Sequence, residues 1–228
     1  MGQTQALQDK RAQRAAALYN KLALTFYDFY VYRFAAPIAF RCPVENMSSL
    51  YQKYCSKQHL EIGVGTGHFL QQAHARDQLQ TVTLLDLNPN CLQITAEKLK
   101  GLTVHCYEGN ILHPFPLKNE RFSSVGLNFV LHCVPGSFAE KGIIFKHLKP
   151  YLLPDAVVFG STAIYESAKR NLVGPLVMNA YNALGIFNNK QDQKRELIEC
   201  LSSEFKYVNI EQIGNILFFV ASDQRIIQ

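Results

Sequence analysis

From residue 59 onward, short apolar runs alternate with longer stretches whose apolar positions recur at helical spacing. The runs predict strands near 59–62, 81–86, 103–107, 122–128 and 156–161, and the stretches between them predict helices near 67–76, 89–100 and 137–149. Pro89 suits a first helical turn, where no amide hydrogen is needed, and Pro150 suits a stop. Apolar strands separated by helices belong to a parallel sheet buried on both faces. The end of the chain reads differently. Helices near 166–182 and 191–202 lead to strand-like runs at 207–213 and 216–221, joined by Gly214-Asn215, a hairpin turn. The expected fold class is α/β: a doubly wound, mostly parallel sheet with a C-terminal antiparallel hairpin strand and helices on both faces.

Residues 5–33 also read as helical, with Ala, Leu, Lys and Arg as far as Leu24 and then the aromatics Phe26, Tyr27, Phe29, Tyr30 and Tyr32. Pro37 and Pro43 interrupt this segment, and a further helix is expected near 46–54. The division expected is a helical cover over 1–56 and one globular domain over 57–228.

At 228 residues, 48% apolar and 18% charged, the chain is long enough for one soluble domain with a sizeable core. The net charge of +5 comes from scattered basic residues, so no nucleic-acid partner is expected. Six cysteines lie far apart without a C-x-x-C pair, which disfavours zinc and a disulfide framework and suits reduced thiols in a cytoplasm. The first residues lack the apolar core of a secretory signal, and no apolar run reaches spanning length. A cytoplasmic protein with no metal and no membrane partner is expected.

The chemistry is concentrated in His59-Leu-Glu-Ile-Gly63-Val-Gly65-Thr-Gly67, where three glycines link a strand to a helix. Glycine lets the backbone approach a ligand closely, and a helix start offers unpaired N–H groups. Asp86 then ends the second strand. A dinucleotide-binding G-x-G-x-x-G would place its third glycine at residue 68, where an imidazole stands and obstructs helix–strand packing. No Gly-Lys-Ser/Thr follows, so a P-loop is excluded.

Glu61-x-Gly63-x-Gly65-x-Gly67, followed by Asp86 and by Glu108-Gly-Asn110, resembles the class I S-adenosylmethionine-dependent methyltransferases of the small-molecule type. The resemblance runs from about Leu60 to Ala163 and includes Asn128-Phe-Val-Leu-His132 at the fourth strand. Asp155-Ala156 stands where that family usually has two glycines. The resemblance implies a Rossmann-like sheet, S-adenosylmethionine as cofactor and S-adenosylhomocysteine as product. It places Gly63, Gly65 and Gly67 under the methionine tail and Glu61 at its ammonium. Asp86, with Leu87 beside it, would meet the ribose hydroxyls, Asn110 and Ile111 the adenine, and Asn128 the departing methyl. Glu108 would edge the same pocket. Tyr19 and Tyr27 are the favoured lid residues, and Met178, Tyr181 and Phe187 suit an opposite wall for an apolar acceptor.

His132 lies at the carboxyl edge of the sheet and is the one candidate base, with a packed histidine as the plain alternative. Asp86 likewise has a plain alternative, as cap of the helix at Pro89. The expected function is methyl transfer to an oxygen, nitrogen or carbon of a small apolar metabolite. The alternatives are a nucleic-acid or protein methyltransferase, disfavoured because no Asn/Asp-Pro-Pro-Tyr follows the fourth strand, and a catalytically silent cofactor-binding scaffold.

Overall fold

The structure, a computed structural model, describes residues 9–10, 37–165 and 173–226. Tyr19, Tyr27, most of the N-terminal cover and the start of the helix expected at 166 lie outside the described residues. The strands are β1 (Gln58–Ile62), β2 (Thr81–Asp86), β3 (Thr103–Glu108), β4 (Phe122–Asn128), β5 (Leu152–Ala163), β6 (Tyr207–Ile213) and β7 (Ile216–Ser222). The helices are α1 (Glu45–Tyr54), α2 (His68–His74), α3 (Pro89–Lys98), α4 (Phe138–Lys141), α5 (Ile143–Leu148), α6 (Gly174–Ala183) and α7 (Lys194–Glu204).

All seven strands form one sheet in the order β3-β2-β1-β4-β5-β7-β6. β1 to β5 pair in parallel, and β7 enters between β5 and β6 antiparallel to both. The chain winds outward from β1 to β3, then returns to β4 and winds the other way. That reversal between β1 and β4 leaves a crevice at the carboxyl ends of both strands, the place where open α/β sheets bind ligands.

Two expectations differ in detail. The helix expected at 137–149 divides at Gly142, where α7 packs so close that a Cβ would lie 2.7 Å from Cys200 Cβ. β5 starts at Leu152 rather than 156, since a register shift opposite Phe122 and Ser124, with the extra residues on β5, lets Leu152 pair with Phe122.

Period-two alternation assigns each strand residue to a face. Leu60, Ile62, Val125 and Leu127 join Phe145, Leu197 and Phe219 in the core on the side of α5 and α7. Val82, Leu84 and Phe159 join Leu50, Tyr51 and Phe69 in the core on the α1–α3 side, as do Ala39, Phe40 and Met47. The residues just before β1 are therefore built into the main core. Among the described residues no helix is long and apolar enough to cross a membrane.

Candidate active site

The crevice beyond β1, β2 and β4 is a cleft of about 1110 Å³ counted out to its open mouth. Glu61, the loop from Gly63 to Gly67, Asp86, Leu87, Asn110, Ile111 and Asn128 all line it, so the structure gathers these sequence-derived candidates in one place. The loop holds its shape through left-handed backbone at Gly63 (φ 68), Gly65 (φ 54) and Gly67 (φ 69). Such dihedrals are cheap only without a Cβ. A Cβ at Gly63 would overlap Val130, whereas one at Gly65 would meet nothing and project into open space. Gly65 is thus the bare floor where a ligand can lie against backbone.

Glu61 is buried, and both its oxygens are held. The Tyr51 hydroxyl donates to Oε1 at 2.5 Å, and His59 Nε2 lies 2.9 Å from Oε2. β1 and β4 are in register so that Glu61 faces Gly126, and any Cβ at 126 would overlap Glu61 Oε2. The carboxylate occupies the space that this glycine leaves.

Asp86 is half-buried at the end of β2 and accepts the Asn88 N–H at 2.8 Å. Burial pushes its carboxyl up to about 6, against the opposing pull of backbone N–H groups at Asn88, Gly65, Val64 and Leu87. The helix cap is Asn88, whose side chain accepts the Asn90 N–H at 2.9 Å, so Asp86 is left facing the cleft. Asn110 Nδ2 donates to Asp9 at 2.7 Å, and His113 Nε2 lies 2.9 Å from the same oxygen, which ties the chain near residue 9 to this end of the cleft. Glu108 is exposed and outside the lining, contrary to its expected place at the pocket edge, because its side chain stands on the outer strand β3. Asn128 lines the cleft and accepts the Ser161 hydroxyl. Beside it Phe129, also in the lining, holds left-handed backbone at φ 56.

His132 is buried and does not line the cleft. Its Nδ1 accepts the Ala163 N–H at 3.1 Å, and its ring packs edge-on against Phe187 at 4.3 Å. Burial, with the Lys141 charge adding to it, pushes its pKa down to about 3, which leaves a neutral ring of low basicity. Phe187 meets Tyr181 at 4.9 Å, and the loop that carries it is fastened from several sides. Asn188 donates its N–H to the His132 carbonyl at 2.7 Å and its Nδ2 to the Cys133 carbonyl at 3.0 Å. Asn189 Nδ2 reaches the Ala163 carbonyl at 2.9 Å, and buried Lys141 Nζ grips both Asp192 oxygens at 2.7 and 2.8 Å.

Tyr51, His59, Gly126 and Phe129 were not singled out from sequence. Two of them, His59 and Gly126, carried a readable signal, since His59, Glu61, Ser124, Gly126 and Asn128 interrupt otherwise apolar strands at every second position. Tyr51 carried none beyond its place on a helix.

The cleft offers a carboxylate at one end of a bare loop, a second carboxylate at a strand end, and a half-apolar slot at Ile111 and Asn110. A ligand with a cationic tail, a diol and a flat ring fits that sequence of groups. A family described as a methyltransferase domain matches residues 60–151. Over 211 residues the chain is 37% identical to demethylluteothin O-methyltransferase of Streptomyces thioluteus, covering 92% of each chain. It is 33% identical to the physcion biosynthesis cluster O-methyltransferase of Aspergillus chevalieri, covering 92% of this chain and 95% of that one. Its fold is similar to that of DhpI, solved as a complex with S-adenosylhomocysteine, with a TM-score of 0.64 at 14% identity over 93% of this chain and 98% of that one.

Proposed function

Because the chain belongs to the class I S-adenosylmethionine-dependent methyltransferases, we propose that it methylates a hydroxyl oxygen of a small, largely apolar metabolite, with the donor lying along the cleft from Glu61 to Asn110. The observation that carries this reading is the joint placement of Glu61, the glycine loop and Asp86 around one cleft in a chain whose relatives are named as O-methyltransferases. When bound, S-adenosylmethionine supplies an electrophilic methyl group. The protein's part is alignment and exclusion of water. Glu61 holds the ammonium, Asp86 accepts the ribose hydroxyls, and Asn110 with Ile111 meets the adenine. Asn128 and Phe129 border the methyl, whereas Met178, Tyr181 and Phe187, expected as an opposite wall, lie outside the cleft lining, with Met178 and Phe187 buried in the core. His132 is closed off by Phe187 and the Ala163 backbone, so an acceptor with an acidic hydroxyl, a phenol or an enol, suits the site without a dedicated base. In the same reading Asp9 ties the chain near residue 9 to the adenine end of the cleft.

The test is incubation with methyl-labelled S-adenosylmethionine and fractionated extract. Label in small hydroxylated metabolites supports the reading, whereas label in macromolecules, or none at all, overturns it.

Two expectations follow from the site. The Gly126→Ala variant should fold, because the overlapped atom is the end of a flexible side chain. Glu61 must then swing away, and S-adenosylhomocysteine affinity should fall roughly tenfold in calorimetry, the cost of one charge-assisted hydrogen bond. Unchanged affinity would remove Glu61 from the site.

The second concerns pH. With Asp86 pushed up to about 6, the ribose acceptor is charged above pH 7 and is lost as the pH falls through that value. Affinity should be level above pH 7 and about tenfold weaker near pH 5. The ligand-free protein shows the opposite trend from this group. Its folded pKa exceeds the unfolded value, so Asp86 favours folding at low pH and that contribution fades as the pH rises from about 4 to 6. Affinity that is flat from pH 8 to 5 would count against the ribose role.

A further inference from the structure

We propose that Asp9 is a positioning residue for the cofactor's base: it holds the Asn110 amide in one of its two orientations, with the carbonyl end left for the ligand's 6-amino group. The site thereby selects a 6-aminopurine over a 6-oxopurine. This rests on the reading that Asn110 meets the adenine of S-adenosylmethionine.

The local chain sets one half of the arrangement. Residues 110–113 follow β3 in a tight turn, closed by the His113 N–H donating to the Asn110 carbonyl at 2.9 Å. Asparagine suits the first place of such a turn because its side chain can accept the N–H two residues on. Here the Leu112 N–H donates to Asn110 Oδ1 at 3.1 Å. The Gly109 N–H donates to the Asp86 carbonyl at 3.0 Å, which fixes the turn beside the strand end that carries Asp86. Gly109, Asn110 and Ile111 all line the cleft.

The other half comes from 101 residues away in the chain. Asp9 Oδ1 accepts Asn110 Nδ2 at 2.7 Å and lies 2.9 Å from His113 Nε2. A carboxylate accepts and does not donate, so Asp9 demands the NH2 end of the amide. The Leu112 N–H is a donor alone and demands the carbonyl end. The two anchors agree. Turning the amide over would set its carbonyl against Asp9 and its NH2 against the Leu112 N–H, losing two hydrogen bonds, one of them charge-assisted. His113 steadies the carboxylate, its Nε2 carrying the hydrogen that Asp9 accepts.

With both anchors made, Oδ1 retains one lone pair and Nδ2 one hydrogen for a ligand. The 6-amino group of adenine donates and the ring nitrogen beside it accepts, so an amide whose carbonyl end is fixed can meet both. Hypoxanthine reverses the exchange at position 6, where an oxygen accepts. It needs the NH2 end where this protein has set the carbonyl. Without Asp9 the amide is held by the Leu112 N–H alone and can turn to suit either base. A carboxylate is the residue type that this task requires. An asparagine or serine at position 9 could donate as well as accept and would tolerate both orientations.

The measurement is calorimetry with two ligands, S-adenosylhomocysteine and its deaminated 6-oxo counterpart, S-inosylhomocysteine. Native protein should prefer the 6-amino ligand by about tenfold or more. Asp9→Ala should narrow that preference to about threefold or less, chiefly by admitting the 6-oxo ligand. Asp9→Asn keeps the shape of the side chain and should narrow the preference too. A merely structural role for Asp9 would weaken both ligands alike and leave their ratio unchanged. A native ratio near one, or a ratio kept in both Asp9 variants while Asn110→Ala abolishes it, would overturn the proposal and leave the cofactor reading intact. A ratio that survives Asn110→Ala takes Asn110 away from the adenine, and the proposal falls with that reading. The Asp9 side chain is 34% exposed, so both variants should fold, and either one decides if the other does not.

Discussion

Replacing Asp86 with alanine is expected to weaken S-adenosylhomocysteine binding by about a hundredfold or more, because each ribose hydrogen bond to a carboxylate contributes roughly 1.5 to 3 kcal/mol and two are lost. The loss is compounded within the protein. Asp86 also accepts the Asn88 N–H and draws on the backbone N–H groups of Val64 and Gly65, so it braces the loop that it shares the ligand with. Calorimetry should show the collapse in affinity, and a melting curve should show that the fold survives. A variant that binds as tightly as the native protein would take Asp86 out of the site and much of the cofactor reading with it.

The second large effect concerns Lys141. It sits on a four-residue helix, almost fully enclosed, with its ammonium between both Asp192 oxygens and the Asn188 carbonyl and over the Phe138 ring. Lys141→Met removes the cation and leaves Asp192 charged in the interior, a change that costs about 3 to 5 kcal/mol in unfolding free energy. The methionine itself packs well enough, so the damage comes from the abandoned carboxylate. Lys141→Met combined with Asp192→Leu should therefore recover most of the stability in urea unfolding. A loss below about 1 kcal/mol in the single variant would mean that water reaches Asp192 and that the pair is not sealed.

Most of the strands were legible as short apolar runs closed by glycine, proline or a polar residue, and 81–86 and 122–128 coincide with β2 and β4. The glycine loop was legible because backbone that must turn left-handed leaves little choice of residue, and Asp86 because a carboxylate closes the apolar run of β2. What stayed hidden depends on the third dimension. Nothing in the sequence around Gly126 says that a carboxylate from another strand will fill its missing side chain, since that follows from the register of β1 against β4. Nothing around His132 says that Phe187 and Ala163 will close over it, because those contacts join segments 30 and more residues apart. A histidine after a strand reads as available chemistry until its neighbours are known.

Phe129 presents a conflict that any attempt to toughen this protein will meet. A residue with a Cβ in left-handed backbone carries on the order of 1 kcal/mol of strain, which glycine would relieve. Selection for heat tolerance alone therefore pulls position 129 toward glycine, while the role proposed for its ring in the cleft lining pulls it back. Gains in endurance at that residue would come at the expense of turnover, and a thermostable form is better sought on the far side of the sheet.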